Sequence, residues 1–143
     1  MLRAPEVHEF EDWYRLYHAF SVSVEEEVTR DVAQRVWNWI NDPHHPTKAI
    51  VATSGGRMVG FTHYRPFPRT LHGNEACYLD DLYVDESQRG SGLARQLIDA
   101  VSQIAKERGW THVRWVTEEK NERARALYDK LATATTLITY KLD

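Results

Sequence analysis

The sequence predicts an α/β protein built on a mixed, mostly antiparallel central sheet flanked by helices. Three observations predict it. Residues 49–64 read as two short apolar strands joined by Ser54-Gly55-Gly56-Arg57, a hairpin signal. Residues 76–105 read as a strand, a glycine-rich turn and a long amphipathic helix. Strand, helix and strand patterns then follow in turn to residue 142, which makes the sheet mixed.

Each element has its own local reason. Residues 1–7 carry little signal. Phe10, Trp13, Leu16, Tyr17 and Phe20 recur at helical spacing. Ser23 with Glu26 three residues later fits a capping box and predicts a second helix from there to about Ile40. Its apolar side carries Val28, Val32, Val36, Trp39 and Ile40, and Asn-Asp-Pro-His-His-Pro at 41–46 ends it. After the hairpin, residues 65–74 contain two prolines and read as a loop, and residues 76–84 as the next strand. The helix that follows carries Leu93, Leu97, Val101, Ile104 and Ala105 on one stripe, and Gly109 stops it. Residues 112–117 read as a strand, 121–131 as a helix and 136–142 as a last strand.

Composition narrows the function. With 143 residues, 42% hydrophobic and 27% charged, the chain reads as one globular domain spanning 1–143. Cys77 is the only cysteine, so an intrachain disulfide framework is excluded and a reducing compartment, the cytoplasm, is expected. No apolar run approaches ~18 residues, so no membrane span is expected. A net charge of −3 lacks the basic footprint of a nucleic-acid binder and suits a cationic small molecule. His44-His45 has no spaced companion ligands and reads as loop, so no metal is expected.

The chemistry concentrates at Arg89-Gly90-Ser91-Gly92-Leu93-Ala94. Glycines at a strand-to-helix junction permit a tight turn that leaves unpaired N–H groups at a helix N-terminus, which makes an anion site suited to phosphate. A plain glycine turn is the alternative reading.

Two motifs decide between these. Q-R-G-S-G-L-A at 88–94 is preceded by L-D-D-L-Y-V at 79–84, and N-E-R-A-R-A-L-Y-D-K follows at 121–130. On these residues the chain resembles the GCN5-related N-acetyltransferase (GNAT) superfamily over roughly residues 50–142. W-V-T-E-E-K-N, A-L-Y-D-K-L-A and the late I-T-Y make it most similar to small enzymes related to the yeast histone and polyamine acetyltransferases. The resemblance implies the GNAT fold, with a first strand that is short or missing here because few residues precede the first helix. Leu131-Ala132-Thr133 stands where many members have leucine-glycine-phenylalanine.

It also implies acetyl-CoA as donor and a primary amine as acceptor: a polyamine, an amino acid or another small amine. Gly90, Ser91, Gly92, Leu93 and Ala94 would grip the pyrophosphate, with Arg89 adding charge. Leu82, Tyr83 and Val84 would offer backbone to the pantetheine arm. Asn121 caps its helix, contacts the cofactor, or both, and Arg125 reaches phosphate or faces water. Tyr128 is the candidate general acid for the leaving thiolate, and Asp80 the candidate base, directly or through water. Glu26, Trp37, Tyr64, Asp80 and Asp81 are candidates for binding the acceptor. Asp81 points away from Asp80 in a regular strand, unless a bulge changes that parity. Cys77 is expected to be a buried strand residue. Rival readings are a lysine, histone or peptide N-acetyltransferase and a noncatalytic acyl-CoA-binding regulatory module. A homodimer is implied by the resemblance and by the exposed last strand.

Overall fold

The computed structural model describes residues 1–143. The first strand is short but present. In β1, Leu2–Arg3, Leu2 and Arg3 pair antiparallel with Ala52 and Val51 of β2, Lys48–Ser54. Helix α1, Phe10–Ser23, then crosses one face of the sheet, burying Trp13 and Leu16 completely or nearly so. Asp12 and Arg15 lock it there. Asp12 accepts from the Met58 N–H at 2.9 Å, and Arg15 donates to both Asp12 and the Met58 carbonyl.

Helix α2, Arg30–Asn41, begins seven residues later than the capping-box reading predicts. Thr29 is the cap, accepting from the Val32 N–H at 3.2 Å. Ser23 is instead the last residue of α1, and its hydroxyl donates back to Phe20. Ser21 organises the connecting loop: its carbonyl accepts from the Glu26 N–H and its hydroxyl oxygen from the Val28 N–H. Glu25 is held at a φ of 61°. Glu26 and Glu27 therefore lie in a shaped loop and not in a first helical turn.

The sheet order is β1-β2-β3-β4-β5. Strand β3, Arg57–Arg69, and β4, Asn74–Val84, form a hairpin much longer than predicted. Pro66 and Pro68 lie inside β3, although the sequence suggests a loop there. They are tolerated because β2 pairing ends at Tyr64, so the far half of β3 is an edge strand. Beyond β4 come α3, Leu93–Arg108, then β5, Val113–Arg114, and α4, Glu122–Leu131. Strand β5 is parallel to β4.

Two cores sandwich the sheet. Trp13, Trp37, Val51 and Phe61 centre the one under α1 and α2. Cys77, Leu79, Leu97 and Val101 centre the one under α3. The last strand expected at 136–142 does not form. Paired β5 is only two residues long, too little for another strand to extend, and residues 133–143 run on exposed without regular structure.

Candidate active site

Strand β4 carries one residue too many for its partner. His63 pairs with Asp81 and Tyr64 with Leu79, which leaves Asp80 as the extra residue of a β-bulge. The Thr62 hydroxyl donates to the Asp81 carbonyl at 2.7 Å beside it. The consequence is a change of parity. Leu79 and Tyr64 face α3, whereas His63 and Asp81 face α1. Asp80 projects to the α1 side too, where it accepts from Arg65 Nε at 3.1 Å. Two adjacent carboxylates thus share one face, which a regular strand forbids. Burial pushes the Asp80 carboxyl above its ordinary value and the Asp81 charge adds to that, while Arg65 opposes both.

Asp81 opens into a cleft of about 430 Å³ between α1, the 24–29 loop and the start of α2. Tyr17, Phe20, Glu26, Glu27 and Val28 also line it, and no Lys, Arg or His does. Burial, then the charges of Asp81 and Asp80, push the Tyr17 phenol up to about 12. Tyr17 therefore stays a neutral hydrogen-bonding group at any working pH.

On its other side β4 splays from its neighbour. Strand β5 pairs only with Cys77 and Tyr78, so residues 79–84 of β4 have no strand beside them there. Leu82 and Val84 pack toward α3, while Tyr83 packs against Phe20 and Phe61 on the α1 side. The glycine turn follows at the end of this open strand. Gly90 and Gly92 have φ of 82° and 83°, and a Cβ at either would be strained. Gly92 starts α3 with no side-chain cap, so the N–H groups of Leu93 and Ala94 have no partner within the protein. The Ser91 hydroxyl is engaged with the Gln88 carbonyl, and Arg89 lies near Glu86 and over the Tyr83 ring.

Helix α4 packs on the α3-side core through Tyr128 and Leu131. Asn121 caps it, accepting from the Ala124 N–H at 3.3 Å, and Arg125 donates to the Glu119 carbonyl. Tyr128 packs edge-on against Trp115 at 5.4 Å, within the α3-side core cluster. Burial raises its phenol above the ordinary value, so it holds its proton.

With this geometry in place the comparisons are decisive. Residues 8–132 match the acetyltransferase (GNAT) family model. The chain belongs to the GNAT family. It is 33% identical over 143 residues to a D-amino-acid N-acetyltransferase of Saccharomyces cerevisiae, covering 99% of this chain and 89% of that one. It is 36% identical over 78 residues to N-acetyltransferase family 8 member 2 of Rattus norvegicus, a match covering 54% of this chain and only 34% of the rat protein. A ribosomal-protein-alanine N-acetyltransferase from Brucella melitensis superposes with a TM-score of 0.83 at 22% identity, covering 100% of this chain and 97% of that one.

As a GNAT acetyltransferase, the protein takes its acetyl group from acetyl-CoA and passes it to an amine. The residues present fit that donor. The open N–H groups at the α3 terminus suit a pyrophosphate, and the unpaired side of β4 suits an amide-bearing arm. The acceptor candidates divide. Glu26 and Asp81 line the cleft, and Asp80 lies beside it. Trp37 does not line it: the indole is buried in the α1 core with its N–H donated to the Val7 carbonyl. Tyr64 lies on the opposite face of the sheet, against Cys77 and Leu79. Cys77 is fully buried, and burial pushes its thiol up to about 11, so it is no nucleophile. Two side chains at the site escape the sequence reading. Tyr17 reads there only as one apolar position of α1. His63 is a lone polar residue in an apolar strand, and only the hairpin register sets it opposite Asp81.

Proposed function

We propose that the protein transfers acetyl from acetyl-CoA to the primary amine of a small cationic acceptor, a diamine or polyamine, by direct attack in a ternary complex. The observation that carries this reading is the cleft. Asp81, Glu26 and Glu27 present three carboxylates to it with no cation among its lining residues. Such a surface attracts a substrate bearing more than one ammonium group and repels a carboxylate.

Acetyl-CoA supplies an acetyl thioester. The open N–H groups of Gly90, Gly92, Leu93 and Ala94, with Arg89, hold its pyrophosphate, and β4 from Leu82 to Val84 holds its arm. Asp81 and Glu26 bind the acceptor. Asp80, directly or through a water, takes the proton lost as the amine nitrogen bonds to the carbonyl carbon. Open N–H groups of β4 stabilise the charge that develops on the carbonyl oxygen. Tyr128 gives its proton to the sulfur as the C–S bond breaks. Asn121 and Arg125 support this by fixing the start of α4.

A second reading, a D-amino acid acceptor, is favoured by the full-length similarity to the yeast enzyme. Two compounds that differ by one carboxylate separate the readings: 1,5-diaminopentane and D-lysine. Thiol release and product mass are measured for both, alongside a lysine peptide. The diamine is expected to give the highest kcat/KM. A higher value for D-lysine would replace the first reading by the second. Preference for the peptide would make the protein a lysine acetyltransferase, and acetyl-CoA binding without any product a regulatory module.

We also propose a homodimer formed through the tail, in a protein of the cytoplasm. Leu137, Ile138, Tyr140 and Leu142 are 72%, 74%, 89% and 100% exposed, an apolar strand sequence without a partner in its own chain. Sedimentation is expected to give twice the 16.7 kDa chain mass. Ile138→Asp with Tyr140→Asp is expected to give the monomer. A monomeric wild-type protein would sink the dimer.

A further inference from the structure

His63 is 2% exposed, enclosed by the rings of Trp13, Tyr17 and Phe61, and takes no part in the chemistry described above. Both of its ring nitrogens are nonetheless engaged. The Trp13 indole N–H donates to Nε2 at 3.1 Å. Nδ1 lies 2.8 Å from Asp81 Oδ2. An indole N–H can only donate, so Nε2 must be the bare nitrogen and Nδ1 must carry the proton. Nδ1 then donates to the carboxylate. A second proton on Nε2 would confront the indole N–H donor to donor. The geometry thus gives His63 one tautomer, with its proton on Nδ1.

We propose that the Trp13–His63 pair is a positioning device that aims Asp81 at the acceptor ammonium. The proposal rests on the amine-transfer reading of the site. Asp81 Oδ2 is held by His63, while Oδ1 has no hydrogen-bond partner in the protein and Asp81 lines the cleft. The other titratable groups around it are Asp80 on β4, Tyr17 on α1, and Glu26 and Glu27 on the loop. None of these supplies a cation, and His18 on α1 pairs outward with Glu27 at 3.4 Å. The remaining lone pairs of Oδ1 are therefore directed at a donor that the acceptor brings. A carboxylate aimed in advance binds its cation without the loss of rotational freedom that a swinging one incurs.

The test joins kinetics with a spectroscopic signature. His63→Phe keeps the ring and removes both nitrogens. It is expected to raise KM for 1,5-diaminopentane roughly tenfold, the worth of one charge-assisted hydrogen bond, with kcat and the acetyl-CoA KM little changed. His63→Asn retains an amide donor near Nδ1 and is expected to recover most of the loss. Imidazole nitrogen spectra of the wild-type protein are expected to show one of its seven histidines as the tautomer that carries its proton on Nδ1. Trp13→Phe removes the indole N–H, and the preference for that tautomer is then expected to weaken.

An unchanged KM in folded His63→Phe would overturn the proposal, as would a wild-type His63 with its proton on Nε2. The spectra need no variant, so a misfolded His63→Phe leaves the decision to them and to His63→Asn. If the wild-type protein acetylates no amine, the transfer reading falls and calorimetric affinity for 1,5-diaminopentane replaces KM. Weaker binding by His63→Phe then supports the positioning role, and equal or absent binding overturns it.

Discussion

Tyr128→Phe is expected to lower kcat for acetyl transfer by about 100-fold or more, in the range of a lost general acid. Acetyl-CoA affinity should stay close to wild type. The reason lies in what the substitution leaves in place. Tyr128 packs its ring edge-on against Trp115, and a phenylalanine ring fills the same space. Only the hydroxyl is lost. Burial raises its pKa, which keeps the proton on the oxygen until a stronger base, the departing thiolate, is near. Thiol release at saturating donor and acceptor measures the effect. An unchanged kcat, or a loss matched by weaker donor binding, would reduce Tyr128 to a packing residue.

Asp80→Asn is expected to lower kcat/KM by about 100-fold, and the wild-type pH profile should carry its signature. A proton-accepting Asp80 must be ionised. Burial raises its pKa, with Asp81 adding and Arg65 opposing. Activity should therefore fall as pH drops through a value above the ordinary carboxylate range. Arg65→Gln removes the opposing charge and hydrogen bond, so the same acid limb should move to higher pH. Asp81 remains beside Asp80 in both proteins and contributes equally. A limb that stays put in Arg65→Gln, or an Asp80→Asn enzyme of wild-type activity, would move the base elsewhere.

What the sequence made legible was whatever depends on local spacing. The helical stripe of α3, the αL glycine at Gly92 and the N-cap at Asn121 all answer to neighbours within a few residues, and all lie where the pattern puts them. The site's non-local features were harder. Ser23 and Glu26 match a capping box, yet Thr29 wins because Ser21 binds the intervening loop from within α1. Pro66 and Pro68 look like loop residues until it is known that β2 stops short beside them. Trp37 and Tyr64 are aromatic and lie near the site in sequence, but each is drawn into a core by the face its element buries. Parity at Asp80 and Asp81 depends on how β4 pairs with β3, which no pattern within β4 contains.

That last feature bears on how such a site can change over generations. Exchanging one side chain at position 80 or 81 alters a charge. Losing one residue between Leu79 and Leu82 does something different: the ladder would close into regular alternation, with Leu82, Tyr83 and Val84 still opposite Thr62, Phe61 and Gly60. The aspartate that remains would stand opposite His63, and the second carboxylate on that face would be gone. A change in the length of this strand therefore separates the two carboxylate roles, which a change in its composition does not. A relative with one residue fewer here would be expected to keep the carboxylate held by the histidine and to take its base from elsewhere.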